Sequence, residues 1–416
     1  MSRFLINTLS MACILGLSPL THGHDDWQLS GFFTQGINTT SDYNFFGDSD
    51  DSVSTDYSEA GINLTHFLND KIRFTAQLAY RNSNVLDEDE FFLDLLQIDA
   101  LLHNTENTTT GVKLGLIKFK QRLYDDVYDV SAAWSTAQLP EVLYPQLTRS
   151  TLLNFEGIII HHTVDIENWT FLFNLGAGQR DIESNVVEDL YLYDLGTTTD
   201  TKTDEAYTAL FEVTNEFRQQ KLGIGYLKAR WKPEVSLGNL IEASIGSNND
   251  FYTLYLSQGW GPWVFELEAS YIESKNRITS IDFPSGFGAC NTTCQALLST
   301  YSELIEGQSN GYAGYFTLHR NFPNGTNIYL GYGHSVDNAD DIRGKELEQL
   351  TGAPNHTAYL KQTFLGFQYQ ITENWSVASE FSLFEGTSNL STKENVFDND
   401  SAKHWHSFFT RISYTF

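Results

Sequence analysis

The stretch Phe409-Thr-Arg-Ile-Ser-Tyr-Thr-Phe416 decides the fold. Its apolar residues Ile412, Tyr414 and Phe416 stand two positions apart, and the residues between them are polar. Alternate side chains of a β-strand point to opposite faces, so one face of this strand is apolar and aromatic. Such a strand fits the wall of a transmembrane β-barrel, with its apolar face toward lipid and Arg411 toward the lumen.

The same alternation recurs along the chain. Four clear segments begin at Ile72, Trp169, Trp263 and Trp375, and each runs for about ten residues, the length of a tilted membrane-spanning strand. Three of them open on Trp directly after a short polar turn, which places the indole at a membrane interface. Aromatic residues make up 14% of the chain, as the aromatic girdles of a barrel require.

Connections between these segments alternate between short and long. Short turns are predicted at about 67–70, 104–108, 164–167, 215–219, 259–262, 322–325 and 371–374. Long polar loops are predicted at about 40–54, 83–89, 119–150, 178–203, 233–248, 275–309, 337–356 and 387–402. This pattern predicts an all-β, up-and-down antiparallel barrel of about sixteen strands with long external loops. Residues 239–246 are assigned to a loop, because an additional strand would make the strand number odd.

The start of the chain indicates export. A basic residue at Arg3, an apolar run from Phe4 to Leu17 and small residues before position 24 predict a cleaved signal peptide over 1–23. The apolar run is shorter than the ~20 residues that a membrane-spanning helix needs. The barrel domain is therefore expected over 24–416, with Cys290 and Cys294 joined by a disulfide that an exported protein can keep.

Charge excludes some partners. The chain carries 25 Lys and Arg against 53 Asp and Glu, a net charge of −28, which argues against nucleic-acid binding. Much of the acid lies in the predicted external loops, where it would face water or lipopolysaccharide bridged by divalent cations. No metal site or other cofactor is expected.

Enzymatic motifs such as G-x-S-x-G, H-E-x-x-H and the P-loop are missing. His334 and Ser335, with Asp337 nearby, could be taken for a hydrolase site, but a polar strand end at headgroup level explains them as well. His161 and His162 are adjacent in a predicted strand, so their imidazoles should point to opposite faces and not share a metal.

The predicted loop 119–150 differs from the other long loops because it is rich in aromatic and aliphatic residues. Such a loop is expected to pack against another surface. The candidate pore-lining charges here, together with the lysine that precedes the loop, are Lys118, Lys120, Arg122, Asp125, Asp126, Asp129 and Arg149.

The mature chain resembles the sixteen-stranded porins of Gram-negative bacteria, in particular the gammaproteobacterial type. The resemblance rests on Ser30 to Gly36, Phe45 to Ser49, Gly115 to Lys118, Leu123 to Asp126, and Leu139-Pro140 followed by Tyr144 and Arg149. It implies that loop 119–150 folds into the lumen and narrows it, and that the protein forms a homotrimer. The ending at Ile412, Tyr414 and Phe416 also resembles the signal that the barrel-assembly machinery reads.

Strand parity predicts which charges face the lumen. They are Arg73, Arg81 and Arg411 on the basic side and Glu59, Glu266, Glu268 and Glu380 on the acidic side. Cations on one wall facing acids from the loop would set up a transverse field that favours small polar solutes. Alternatively, these side chains pair with one another and fill a polar interior.

The sequence therefore predicts an outer-membrane porin, a water-filled channel for small hydrophilic solutes and ions with a mild cation preference. Two other classes stay open. An outer-membrane barrel can be an enzyme such as a hydrolase, or a closed barrel with a structural or adhesive role.

Overall fold

One antiparallel sheet closes on itself to form a barrel. The computed structural model of the protein describes residues 26–83, 89–149, 154–180, 197–237, 241–282 and 307–416. Within them each strand pairs with its neighbours in sequence, and β16 pairs with β1 to close the ring, with Gly36 opposite Arg411. Closure gives every strand two partners, so no strand edge presents unpaired backbone N–H and C=O groups, which lipid cannot hydrogen-bond. The predicted signal peptide over 1–23 and the Cys290–Cys294 disulfide lie outside the described residues.

The strands are β1 (Trp27–Thr40), β2 (Ser58–Asn69), β3 (Ile72–Asn82), β4 (Asp89–Asn104), β5 (Thr108–Lys118), β6 (Asn154–Ile166), β7 (Trp169–Gln179), β8 (Thr197–Asn215), β9 (Gln220–Leu237), β10 (Ile241–Trp260), β11 (Trp263–Asp282), β12 (Gly307–Asn321), β13 (Thr326–Val336), β14 (Tyr359–Gln370), β15 (Trp375–Gly386) and β16 (His404–Thr415).

Helical turns occur only in the connections of the described chain. A single α-helix, α1 (Lys345–Thr351), lies between β13 and β14. The 3-10 turns are Asp125–Val127, Ser131–Ala133, Gln146–Thr148, Glu216–Arg218, Ala339–Asp341 and Asn355–Ala358. Among the described residues, no helix has the length and apolar character needed to cross a membrane.

The outer surface of the barrel carries the apolar face that alternation predicts. Side chains exposed on this surface include Ile412 at 37%, Phe408 at 44% and Leu175 at 63%. Trp169, Trp263 and Trp375 each begin a strand, as predicted, directly after a short turn. Apolar side chains on the exposed face of a closed sheet match the lipid-facing band of a transmembrane barrel.

A belt of tyrosines marks the opposite rim. Tyr226, Tyr252 and Tyr271 occupy neighbouring positions on β9, β10 and β11, with ring centroids 5.2 Å and 6.3 Å apart. Beyond this belt the strands carry charged pairs, such as Lys228 and Asp250. Most connections at this rim are long, whereas short turns join the strands at the other, so this is the external end.

The prediction of a loop over 239–246 is wrong. β9 continues to Leu237 and β10 starts at Ile241, so residues 241–246 are already strand, and the loop predicted over 233–248 is a short connection. β8 and β11 also extend into predicted loops, starting at Thr197 and ending at Asp282. The physical reason is that these hairpins continue pairing beyond the lipid, with Ala243 and Ile245 buried on the inner face. The strand number stays sixteen because longer strands add no crossing.

Candidate functional site: the lumen and the loop that crosses it

Residues 119–149, here called the lumen loop, lie inside the barrel. At one side, Asp129 bonds to Arg81 on β3 with Oδ1 and Nη2 2.6 Å apart. At the other, the Leu123 N–H donates to Glu268 on β11 at 3.1 Å. β3 and β11 stand on opposite walls of a sixteen-stranded ring. A segment that contacts opposite walls of a closed barrel has to cross its interior.

An ionic cluster holds the two ends of the lumen loop against β2 to β5. It consists of Glu59, Arg81, Asp94, Lys118, Asp129 and Arg149. Lys118 Nζ lies 2.7 Å from Asp94 and 2.8 Å from Asp129, while Arg149 is paired with Glu59. Three cations and three carboxylates are thus buried as a balanced set, which offsets the cost of taking them out of water.

Asp129 shows how strongly the cluster favours its charged form. Burial would raise the pKa of the Asp129 carboxyl, but the charges of Lys118, Arg81 and Arg149 outweigh burial and hold that pKa well below its usual range. Asp129 therefore stays ionised, and it ties β3 and the end of β5 to the middle of the loop.

Tyrosine hydroxyls donate hydrogen bonds to the glutamates of the acidic wall, and His319 Nε2 lies 3.4 Å from Glu266. Tyr124 donates to Glu266 at 2.8 Å, and Tyr144 donates to Glu268 at 2.8 Å. On β13, Tyr329 donates to Glu380 at 3.0 Å. All three glutamates are buried beneath the lumen loop.

Arg411 also points inward and is fully buried. Its Nε donates to the Ala137 carbonyl at 2.9 Å, and its Nη2 donates to the Thr136 carbonyl at 3.0 Å. Arg73 lies elsewhere: it pairs with Asp99 at 2.8 Å, and its side chain is 43% exposed. The inward-facing charged residues are therefore of two kinds. Most are buried and bind the lumen loop, whereas Arg73 is half-exposed.

Arg122 and Asp125 fasten the lumen loop to itself. Their Nε and Oδ1 atoms are 2.8 Å apart, and Asp125 also accepts the backbone N–H groups of Gln121 and Arg122 at 2.8 Å. The Arg122 guanidinium lies over the Tyr144 ring, 4.4 Å from its centroid, and donates to the Leu143 carbonyl. These contacts fold the two halves of the loop together.

Asp126 is the charged residue of the lumen loop whose side chain is exposed to solvent. Its carboxylate accepts from Lys120 Nζ at 2.8 Å, and the same Nζ lies 2.9 Å from Glu212 on β8. Lys120 and Glu212 are each only 8% exposed, whereas the Asp126 side chain is 56% exposed. Ala133, seven residues along the same loop, is exposed as well.

One side of the lumen is filled by an apolar cluster that the sequence analysis did not predict. The first external connection (41–57), the lumen loop and the last external connection (387–403) meet there over β14 to β2. Phe46 packs on Phe409 with centroids 5.5 Å apart, and Trp405 stacks on Phe384 at 3.9 Å. The sequence does contain an indication of this cluster. Trp405 and Phe409 occupy inward-facing positions of β16, where a water-filled lumen would favour polar residues.

The residues considered for catalysis do not come together. His334 stacks edge-on to Tyr312 on the lipid-facing parity, while Ser335 is buried on the inner face. His161 binds Asp99 at 3.0 Å and His162 binds Thr110 at 2.8 Å, on opposite faces of β6. Within the described residues no group of three or more His, Cys, Asp or Glu side chains could hold a metal ion.

Comparisons with known proteins agree with the architecture. No protein-family model matches the chain, and no curated protein matches its sequence. Among solved structures, the chain is similar to OmpT, an outer membrane protein of Vibrio cholerae, with a TM-score of 0.53 at 10% identity over 96% of this chain and 100% of that one. An anion-selective porin from Comamonas acidovorans gives 0.54 at 12%, over 94% and 99%. OmpF of Salmonella typhi in complex with daunomycin gives 0.52 at 12%, over 94% and 97%.

At identities this low, the structural similarity shows a shared fold and nothing more specific. The chain forms a closed antiparallel β-barrel with the sixteen-stranded fold of the porins.

Proposed function

We propose that the protein is a narrow water-filled channel for the passive diffusion of small hydrophilic solutes and ions, constricted by the lumen loop. The observation that carries this proposal is the exposure of Asp126. Its neighbours Tyr124 and Asp129 are tied to opposite walls, yet more than half of the Asp126 side chain is open to solvent. A carboxylate inside a barrel has that exposure only where water has room beside it.

In this proposal the channel runs off the barrel axis. The apolar cluster fills the side over β14 to β2, so the free cross-section lies beside Lys120, Asp126 and Glu212, toward β8. Sixteen strands enclose more space than side chains alone fill, which makes such an arrangement possible. A homotrimer and assembly through the C-terminal strand belong to the same proposal, and the Vibrio cholerae OmpT has been described in a trimer form.

Selectivity is expected to follow from the exposed charge at the constriction. The other ionic groups of the lumen loop are paired and buried, so they contribute little to the field in the channel. Asp126 keeps a solvated negative charge, which favours cations mildly.

Reversal potentials of the reconstituted protein in a KCl gradient test this function. Asp126→Lys is expected to shift the K⁺/Cl⁻ permeability ratio toward anions, because it reverses the charge at the constriction. The matched control is Asp50→Lys, the same change at an exposed residue of the external connection 41–57. The control is expected to leave the ratio near that of the wild type. Protein that conducts no ions, or two variants with equal shifts, would contradict the proposal.

A further inference from the structure

The periplasmic end of the barrel carries a recess between two neighbouring turns. The turn Glu216–Arg218 between β8 and β9 lies beside the turn between β10 and β11, and the two enclose a volume of about 420 Å³. A hydrogen bond from the Gly259 N–H to the Gln219 carbonyl, 2.8 Å long, ties the two turns together. The recess is within the size range of small-molecule sites.

The recess is shaped by local backbone requirements. The Asn215 side chain caps the turn by accepting the Arg218 N–H at 3.0 Å, and Gln219 adopts a left-handed conformation with φ of 49°. A Cβ on Gly259 would approach the Gln219 side chain to 2.4 Å, so only glycine leaves this wall in place. The site is therefore preformed.

Its polar lining combines a cation and amides. Arg218 makes no ion pair with any carboxylate of the described chain, although the protein has a large excess of acidic residues. Next to it, Gln220 donates to Gln258 at 2.6 Å and Gln258 donates to the Gly259 carbonyl at 2.7 Å. A lone guanidinium beside neutral amides is a receptor for a phosphate group.

The membrane side of the recess is apolar. Phe217 is 86% exposed at its edge, and Trp260 beside it is 49% exposed. Gln220 pairs with Gln258 in the sheet, and two residues further up each strand the pair is Leu222 and Leu256. The next pair on this face is Ile224 and Leu254, both exposed. An apolar track therefore runs from the recess into the lipid-facing band.

We infer that this recess binds the headgroup of a glycerophospholipid from the inner leaflet of the outer membrane. Arg218 takes the phosphate, the amides line the headgroup, and an acyl chain lies along the apolar track. The combination commits the site to a lipid, since free phosphate would use the guanidinium but would leave the track unoccupied.

Native mass spectrometry of the full chain released from detergent micelles tests this inference. The probe is dioleoyl phosphatidylethanolamine, titrated against wild type, Arg218→Gln, Arg218→Lys and Lys71→Gln. Arg218→Gln is expected to bind the probe about tenfold more weakly, the factor expected from loss of one charge-assisted hydrogen bond. Arg218→Lys keeps the charge and should retain most of the binding. Lys71→Gln removes a cation from the β2–β3 turn and should match the wild type.

Two further arms separate the ligand sources. Dioleoylglycerol has the same chains without phosphate, so its retention should be the same in every variant. Inorganic phosphate at millimolar concentration should not displace the phospholipid. Equal binding by wild type and Arg218→Gln, equal weakening by Lys71→Gln, or displacement of the lipid by inorganic phosphate would overturn the inference. Heat-modifiable electrophoretic mobility verifies that each variant is a folded barrel.

Discussion

At the scale of single residues, many of the charged side chains inside this barrel are held by pairing with opposite charges. Arg149 is 2% exposed, and it pairs with Glu59, donates to the Tyr128 carbonyl at 2.5 Å and lies over the Tyr128 and Trp134 rings. Arg149 therefore locks the end of the lumen loop to β2. A charge in such a position is stable only while its partner is present.

Replacing Arg149 with Met should cost about 3–5 kcal/mol of unfolding free energy, because the buried cluster would then hold three carboxylates against two cations. Arg81, 3.7 Å from Glu59, is already shared with Asp129. The measurement is the urea midpoint of the detergent-folded barrel. Arg73→Gln is the control. Arg73 is 43% exposed and its partner Asp99 keeps its hydrogen bond with His161, so this change should cost no more than about 1 kcal/mol. Similar midpoints for the two variants would show that Arg149 does not anchor the loop.

Glu141 and Asp129, both in the lumen loop, should give opposite dependences on pH. Burial raises the pKa of Glu141 well above its usual range, although the Gln146 N–H and Arg149 act against burial. The pKa of Asp129 is lowered, as described above. A raised carboxyl pKa contributes stability below the ordinary value of about 4.3, and that contribution is lost as the pH rises. A lowered pKa contributes stability above the ordinary Asp value of about 3.9, lost as the pH falls.

Glu141→Gln should therefore raise the urea midpoint relative to the wild type at pH 8 and bring little gain near pH 4. Gln can still accept the Gln146 N–H, which Glu141 accepts at 2.9 Å, and it has no charge to bury. Asp129→Asn should lower the midpoint at pH 8, with a smaller difference from the wild type at pH 3. Midpoints that shift in the same direction for both variants at pH 8 would contradict these assignments.

At the scale of elements, alternation was sufficient to predict the strands but not their upper ends. The period of two and the Trp residues after short turns identify β7, β11 and β15 directly. The extension of β10 to Ile241 was not predicted, because residues 239–246 were considered only as an additional strand, which would make the strand number odd. They are instead the start of β10, with Ala243 and Ile245 buried on its inner face. Composition alone does not distinguish a protruding hairpin from a polar connection.

Hydrogen exchange tests the extension of β10. The amides of Ile245 and Ser247 should exchange more slowly than those of Asp50 and Ser52 in the connection 41–57, which belong to no strand. A factor of about tenfold or more is expected, since an opening free energy of only ~1.4 kcal/mol produces it. Equal exchange rates would restore the reading of 241–246 as a loop.

The lumen loop shows where sequence reasoning about the site stops. Its aromatic content predicts packing, and its sequence identifies Asp129 and Arg149, the two residues that the loop contributes to the ionic cluster. Its partners were out of reach, because Arg411 meets Ala137 across 274 positions of sequence. Only closure of β16 on β1 brings such residues together.

At the scale of the whole molecule, the interior of the barrel is packed asymmetrically. Three connections pack into one apolar cluster on one side, and the solvated Asp126 lies on the other. The predicted transverse field between free cations and free acids is not what the contacts favour: most inward charges pair or bond to tyrosines, and the interior is largely self-satisfied. The proposed channel thus depends on a small solvated region beside the loop.

Thiol accessibility measured through single-channel current tests that region most directly. Asp126→Cys, with Cys290 and Cys294 changed to Ser, is reconstituted in a planar bilayer and exposed to a small charged methanethiosulfonate reagent. Ala137→Cys in the same background is the control, because Ala137 belongs to the same loop and is completely buried. Ohmic current steps are expected for both variants. Their size should decrease when the reagent modifies the cysteine at position 126 and should stay constant for the cysteine at position 137. Steps that never form, or that are unchanged by the reagent at position 126, would contradict a water-filled channel beside Asp126.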